Sequence, residues 1–284
     1  MNTKPQPGSE VRPPVIAVMG HIDHGKSTLL DYIRKTNIVD TEAGGITQHI
    51  SAYEVEHQTK DGGVKKITFL DTPGHAAFET MRSRGAIVAD IAILVVSAED
   101  GVKPQTLEAR RAILEAKVPY VVAITKIDKP NADVARTKNS LVENEIYVEG
   151  YGGDVPVVPL SSKTGEGVPE LLDILLLVAE IQDLRGDLEA SGTGIVIESS
   201  LDRKKGNAAT LIVKEGSIHQ GMFIVAGNTM APVRIMEDFR GKQIKEAHFG
   251  MPVRIIGFTD VPEVGTTFFA VPTKKEAEKL LSET

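Results

Sequence analysis

The chain has 284 residues, 41% of them hydrophobic, which is enough for one large or two ordinary domains with buried cores and excludes fibrous and disordered classes. The absence of cysteine removes disulfides and thiolate metal sites and suits a reducing cytoplasm. The net charge of −7, from 32 basic and 39 acidic residues, argues against a general nucleic-acid coat, and the lack of Trp with 5% aromatics argues against a base-stacking platform.

Met1 to Pro14 is polar and proline-rich with no apolar signal segment, and no later window holds about 18 uninterrupted apolar residues. The expectation is a cytoplasmic chain without a membrane span, in which residues 1–13 are a disordered lead. Val15 to Met19 is an apolar strand, and it runs into Gly20-His21-Ile22-Asp23-His24-Gly25-Lys26-Ser27, which fits GxxxxGK[ST]. Thr28 to Arg34 then reads as a helix. In this strand, loop and helix context the glycines let backbone N–H groups turn inward onto phosphate oxygens. Lys26 neutralises their charge, Ser27 offers a hydroxyl to Mg²⁺, and the helix N-terminus adds its dipole.

Glu42 to Ile50 has two glycines and no clean period, so it reads as a loop. Ala52 to Glu56 and Lys65 to Leu70 are strands joined by a hairpin turn at Lys60-Asp61-Gly62-Gly63. Ala76 to Val88 has helical spacing, and Ile91 to Val96 is a continuous apolar strand of the kind buried on both faces. Gln105 to Ala116 is a helix, Tyr120 to Ile124 a strand, Asp133 to Glu145 a helix capped at Asn131, Val155 to Leu160 a strand, and Pro169 to Leu184 a helix. Strands alternating with helices predict an α/β fold, a doubly wound and mainly parallel sheet over residues 14–188.

From residue 189 to 272 the pattern changes to short alternating runs separated by glycine and proline, which predicts a small β-barrel domain. Residues 273–284 begin a charged helix, expected to be the start of a linker cut short.

Ligands of a parallel sheet sit at the carboxyl ends of its strands, and four of these ends carry polar signatures. The first is the glycine loop. The second is Asp71-Thr72-Pro73-Gly74, where a carboxylate can hold a metal-bound water and Gly74 can bring its N–H to a terminal phosphate. The third is Thr125-Lys126-Ile127-Asp128, whose carboxylate can accept both donors of the guanine N1–H and N2–H₂ edge, a pair adenine lacks. The fourth is Ser161-Ser162-Lys163, where a backbone N–H can donate to guanine O6.

These stations, in this order, resemble the guanine-nucleotide motifs of the translational GTPases. Met19 to Lys26, Glu42 to Ile50 and Phe69 to Phe78 narrow the resemblance to the bacterial translation initiation factor two family, and Val196 to Ser199 and Gly250 to Val253 are similar to its second domain. The resemblance implies GTP binding by Gly20, His21, Ile22, Asp23, His24, Gly25, Lys26, Ser27 and Thr28, by Asp71, Thr72, Pro73, Gly74 and His75, and by Thr125, Lys126, Ile127, Asp128, Ser161, Ser162 and Lys163. It also implies Lys26 between the β- and γ-phosphates, Ser27 and Thr47 as Mg²⁺ ligands, and Asp71 holding the metal through water. His75 would be the catalytic residue that orients the attacking water, behind an apolar gate of Ile22 and Ile46.

The implied function is ribosome-stimulated hydrolysis of GTP to GDP and phosphate during subunit joining. The barrel would lean on the small ribosomal subunit, with Arg203, Lys204 or Lys205 on phosphates, and the GTPase domain would face the large subunit. A monovalent cation beside Asp23 is a further expectation, because a carboxylate close to bound phosphates needs screening. The chain is expected to be a monomer and, without the family's C-terminal domains, not to bind initiator tRNA. Two other readings stay open: another translational GTPase such as the selenocysteine-specific elongation factor, and a nucleotide-gated binding module with negligible hydrolysis. Thr125 departs from the family's usual Asn, whose amide ties the base loop to the phosphate loop, so nucleotide binding is expected to weaken by about 1 kcal/mol, the scale of one neutral hydrogen bond, while guanine selection survives through Asp128.

Overall fold

The computed structural model describes residues 9–37, 52–59, 61–70, 88–202 and 206–283. After a short strand β1 (Ser9–Val11), six strands form one sheet: β2 (Val15–Gly20), β3 (Ala52–Gln58), β4 (Val64–Leu70), β5 (Ile91–Ser97), β6 (Tyr120–Thr125) and β7 (Val157–Pro159). Their order is β3-β4-β2-β5-β6-β7, parallel except for the β3/β4 hairpin at one edge. Among the described residues four helices serve this sheet: α1 (Lys26–Asn37), α2 (Pro104–Glu115), α3 (Val134–Glu143) and α4 (Val168–Ile181).

The period of 2 in β5 decides how the layers are built. Ile91, Ile93 and Val95 pack with Leu29 and Ile33 of α1 and Leu171 and Leu175 of α4. Ala92, Leu94 and Val96 point the other way, onto Ala109 and Ile113 of α2 and Leu141 of α3. With helices on both faces, the carboxyl ends of the strands are left as the open edge where loops gather. The cap of α3 is Asp133, whose carboxylate accepts the Arg136 N–H at 2.8 Å, so the assignment to Asn131 is corrected.

The disordered lead over residues 1–13 is also corrected, for residues 9–13. β1 pairs antiparallel with β8 (Arg185–Asp187), and the Arg12 N–H donates to the Leu184 carbonyl at 3.0 Å. Backbone pairing and one ion pair hold this segment, while its apolar residue Val11 is 63% exposed. Nothing apolar therefore announces the strand in the sequence. Residues 1–8 lie outside the described residues.

The second sheet contains β9 (Thr193–Asp202), β10 (Gly206–Glu215), β12 (Phe223–Ala226), β13 (Thr229–Pro232), β14 (Ile235–Glu237), β16 (Pro252–Phe258) and β17 (Thr267–Val271). It is antiparallel in the order β13-β12-β17-β9-β10-β16-β14, and β11 (Ser217–His219) pairs separately with β15 (Glu246–His248). The sheet curls around Val196, Leu211, Ile224, Ile255 and Phe268. A last helix, α5 (Lys274–Glu283), packs on the barrel through buried Ala277.

The two sheets share a core. Val15 and Ala17 of β2, Leu70 of β4, Val88 and Ala89 meet Ile195 and Ile197 of β9 and Ile212 of β10. Each fully buried Val, Leu or Ile side chain of this kind contributes about 1.5–3 kcal/mol. Polar ties flank it: the Thr68 hydroxyl donates to the Gly250 carbonyl at 2.5 Å, and Lys214 reaches both the Val88 carbonyl at 2.8 Å and Asp90 at 2.6 Å. Among the described residues no helix is long and apolar enough to cross a membrane.

Candidate functional site

The phosphate loop owes its shape to three positive backbone angles. Gly20 has φ +142°, and a Cβ there would lie 2.4 Å from the Val95 carbonyl oxygen, so no larger residue fits. Gly25 has φ +90° and Asp23, a non-glycine, φ +62°. Gly25 O accepts the Leu29 N–H at 2.9 Å and so starts α1, leaving Ser27 and Thr28 exposed at the loop mouth. The Lys26 ammonium donates to the carbonyls of Gly20 at 2.9 Å and His21 at 2.6 Å, which draws it across the loop. Burial lowers its pKa, opposed by the nearby Asp23 carboxylate.

His24 is an internal strut of the loop. It is 1% exposed, and its Nδ1 accepts the Ser97 N–H at 3.3 Å, so the neutral ring carries its proton on Nε2, 4.0 Å from Asp100. Burial, and then the neighbouring His21 ring 4.8 Å away, lower its pKa from 6.5 to about 4. The sign follows directly. Below pH 6.5 the unfolded chain takes up a proton that the folded chain refuses until about pH 4, so this residue makes stability fall as pH drops through that window. Denaturant titrations at a series of pH values are expected to show that slope, and His24→Gln is expected to flatten it.

The base-facing loops are tied to the phosphate loop by Thr125, at the end of β6. Its hydroxyl donates to the His24 carbonyl at 2.6 Å, so the shorter side chain makes the link that the resemblance assigns to Asn. Thr125 is buried, and Thr125→Val leaves that carbonyl without its donor. Nucleotide affinity is expected to fall about fivefold while Thr125→Ser stays near wild type, as equilibrium titration with fluorescent GDP would read. Lys126 takes φ +63° and pairs with Glu99 at 3.6 Å. The turn that follows places Asp128 in the open.

Ser161, past the end of β7, braces that carboxylate. Its Oγ donates to Asp128 Oδ1 at 2.7 Å and accepts the N–H groups of Lys163 and Thr164, each at 3.2 Å. The Ser161 hydrogen bond holds the Asp128 pKa below its ordinary value, so the carboxylate is ionised and acceptor-only at neutral pH. The Ile127 N–H reaches the Leu160 carbonyl at 3.4 Å, which joins the third and fourth stations.

The structure thus brings together Gly20 to Thr28, Thr125 to Asp128 and Ser161 to Lys163 at one edge of the sheet. Thr47 and Ile46, Asp71 to His75, all but the last residue of the helix expected over Ala76 to Val88, and Arg203 to Lys205 lie outside the described residues. Among the contacts not read from the sequence are the bracing by Ser161 and the Ile22 N–H donating to Gln105 Oε1 at 3.0 Å. For Gln105 the available signal was its place beside Pro104 at the start of a helix leaving β5.

A doubly wound sheet with this phosphate loop, followed by a small barrel, is a GTPase fold. Residues 12–180 match the family model for the elongation factor Tu GTP binding domain, and residues 191–271 that for elongation factor G domain 2. The chain belongs to the translational GTPase family. It is 53% identical over 272 residues to translation initiation factor IF-2 of Persephonella marina, covering 96% of this chain and 30% of that protein. It is 51% identical over 271 residues to translation initiation factor IF-2 of Bacillus pumilus, covering 95% and 38% respectively. It therefore spans well under half of these relatives. Among solved structures, GDP-bound aIF5B from Aeropyrum pernix superposes with a TM-score of 0.75 at 31% identity, covering 96% of this chain and 56% of that one.

Proposed function

We propose that this chain binds GTP with Mg²⁺ and hydrolyses it to GDP and phosphate on the ribosome during translation initiation. The observation that carries the reading is the exposed, ionised Asp128 carboxylate, braced by Ser161 and tied through Thr125 to a loop built for phosphates. The likeness to IF-2 proteins at 50% identity or more supports the placement in initiation.

Asp128 and the Ser162 region read guanine, while Lys26 and the loop amides hold the phosphates. Ser27, exposed one residue beyond Lys26, offers the hard oxygen donor that suits Mg²⁺, with Thr47 and Asp71 as its partners by resemblance. The metal would neutralise charge on the β- and γ-phosphate oxygens. His75 holds the attacking water in line once the ribosome positions it. A monovalent cation beside Asp23 belongs to the same proposal, and equal hydrolysis rates in K⁺ and in a bulky organic cation would remove it. The barrel leans on the small subunit, and the molecule acts as a monomer.

Competition of GDP against ADP, followed by phosphate release with and without ribosomes, tests the reading. Failure to prefer GDP would overturn the guanine assignment. Hydrolysis that ribosomes do not accelerate would instead leave a nucleotide-gated binding module.

A further inference from the structure

Ile22 stands between two backbone reversals, Gly20 at φ +142° and Asp23 at φ +62°. The loop around it spends its own acceptors elsewhere, because the carbonyls of Gly20 and His21 take the Lys26 ammonium and that of His21 also takes the His24 N–H. Among the described residues the Ile22 side chain is 60% exposed, so it is not held by burial there. What fixes this residue is its amide, which donates to Gln105 Oε1 at 3.0 Å across 83 residues of sequence.

Gln105 is well placed to hold it. Pro104 occupies the first turn of α2, and buried Thr106 accepts the Lys103 N–H on its hydroxyl at 3.3 Å, so the helix start is rigid. The same β5–α2 connection grips the other arm of the loop through Ser97, whose N–H reaches His24 Nδ1. An amide turned onto Gln105 is not turned onto a phosphate. The glutamine therefore selects which loop N–H groups face the ligand and sets the direction of the Ile22 side chain.

We propose that Gln105 is a positioning residue of the nucleotide site, acting through the Ile22 amide to hold the phosphate loop in its binding shape. This rests on the nucleotide reading above. Without its acceptor, the turn from His21 to Asp23 is free to rotate, and bound nucleotide escapes sooner.

The test is stopped-flow release of fluorescent GDP from the full chain, in high salt so that added charge is screened. Gln105→Leu keeps the bulk and removes the acceptor, and it is expected to release GDP about fivefold faster, the scale of one neutral hydrogen bond. Gln105→Glu keeps an Oε1 at the same reach and is expected to remain within about twofold of wild type by the same scale. Preference for guanine over xanthine, which Asp128 sets, is expected to be unchanged in both. A wild-type rate in Gln105→Leu, or a Gln105→Glu variant as fast as Gln105→Leu, overturns the assignment. If the wild-type chain retains no GDP, the nucleotide reading itself has failed and takes this role with it.

Discussion

Asp128→Asn is expected to move the nucleotide preference of this chain from guanine to xanthine. Guanine presents two donors on its N1–H and N2–H₂ edge, and the ionised carboxylate offers two acceptors in one plane. An Asn amide keeps one acceptor and replaces the other with a donor, which opposes the guanine amino group and suits the xanthine carbonyl. The Ser161 hydroxyl, 2.7 Å from Asp128 Oδ1, holds either side chain in the same place, so the exchange is chemical rather than conformational. Affinity for GDP is expected to fall on the order of a hundredfold, since a site built for a hydrogen bond rejects a mismatched partner strongly. Competition between GDP and xanthosine diphosphate reads the switch directly. If GDP remains preferred, Asp128 does not read the base.

Features with a local period or a local spacing could be read from the sequence. Ile91 to Val96 is a run of apolar residues because alternate side chains serve opposite helical layers, and this buried strand is unmistakable in one dimension. The glycine loop was legible because its backbone geometry admits few residues, as the close approach of Gly20 to Val95 shows. Asp128 and Ser161 were legible as separate stations, but the hydrogen bond between them, spanning 33 residues of sequence, was not. β1, β8, β11 and β15 have three residues each, too few to display a period of 2. They are held by partners far along the chain. The cap of α3 went to Asn131 because Asn and Asp are near-equivalent capping residues and only the backbone distinguishes them. At Thr125 the residue type did not tell which acceptor its hydroxyl meets, because the His24 carbonyl that it reaches lies 101 residues away in the sequence.

The least legible feature carries the largest expected effect on stability, and Asp90 is its centre. The Arg12 guanidinium donates to both carboxylate oxygens at 2.6 and 2.7 Å, the Val15 N–H donates at 2.9 Å, and Lys214 of the barrel donates at 2.6 Å. Burial by itself would raise the pKa of Asp90, but the hydrogen bonds and charges of Arg12 and Lys214 outweigh it and hold the carboxyl below its ordinary value. Burial also lowers the pKa of Lys214, against the pull of Asp90. One carboxylate thus joins the lead, the sheet and the barrel. Asp90→Ala leaves two cations crowded in a poorly hydrated seam, and removing one partner of a buried ion pair costs about 3–5 kcal/mol. Replacing Arg12, Asp90 and Lys214 together by apolar residues of similar size is expected to recover most of that loss, because no unpaired charge then remains. The pH dependence has a definite sign. A folded-state pKa held below the unfolded one contributes stability that is fully present above about pH 5 and is lost as pH falls through the folded value. That window lies lower than the one set by His24, so the stability of the wild-type chain is expected to keep falling with pH below the His24 window, and Asp90→Ala is expected to lose part of that lower slope. Denaturant unfolding of the three chains over pH checks both claims. A single variant that loses less than about 1 kcal/mol, the scale of an exposed ion pair, would show that water reaches the seam and that the shared apolar core alone docks the barrel.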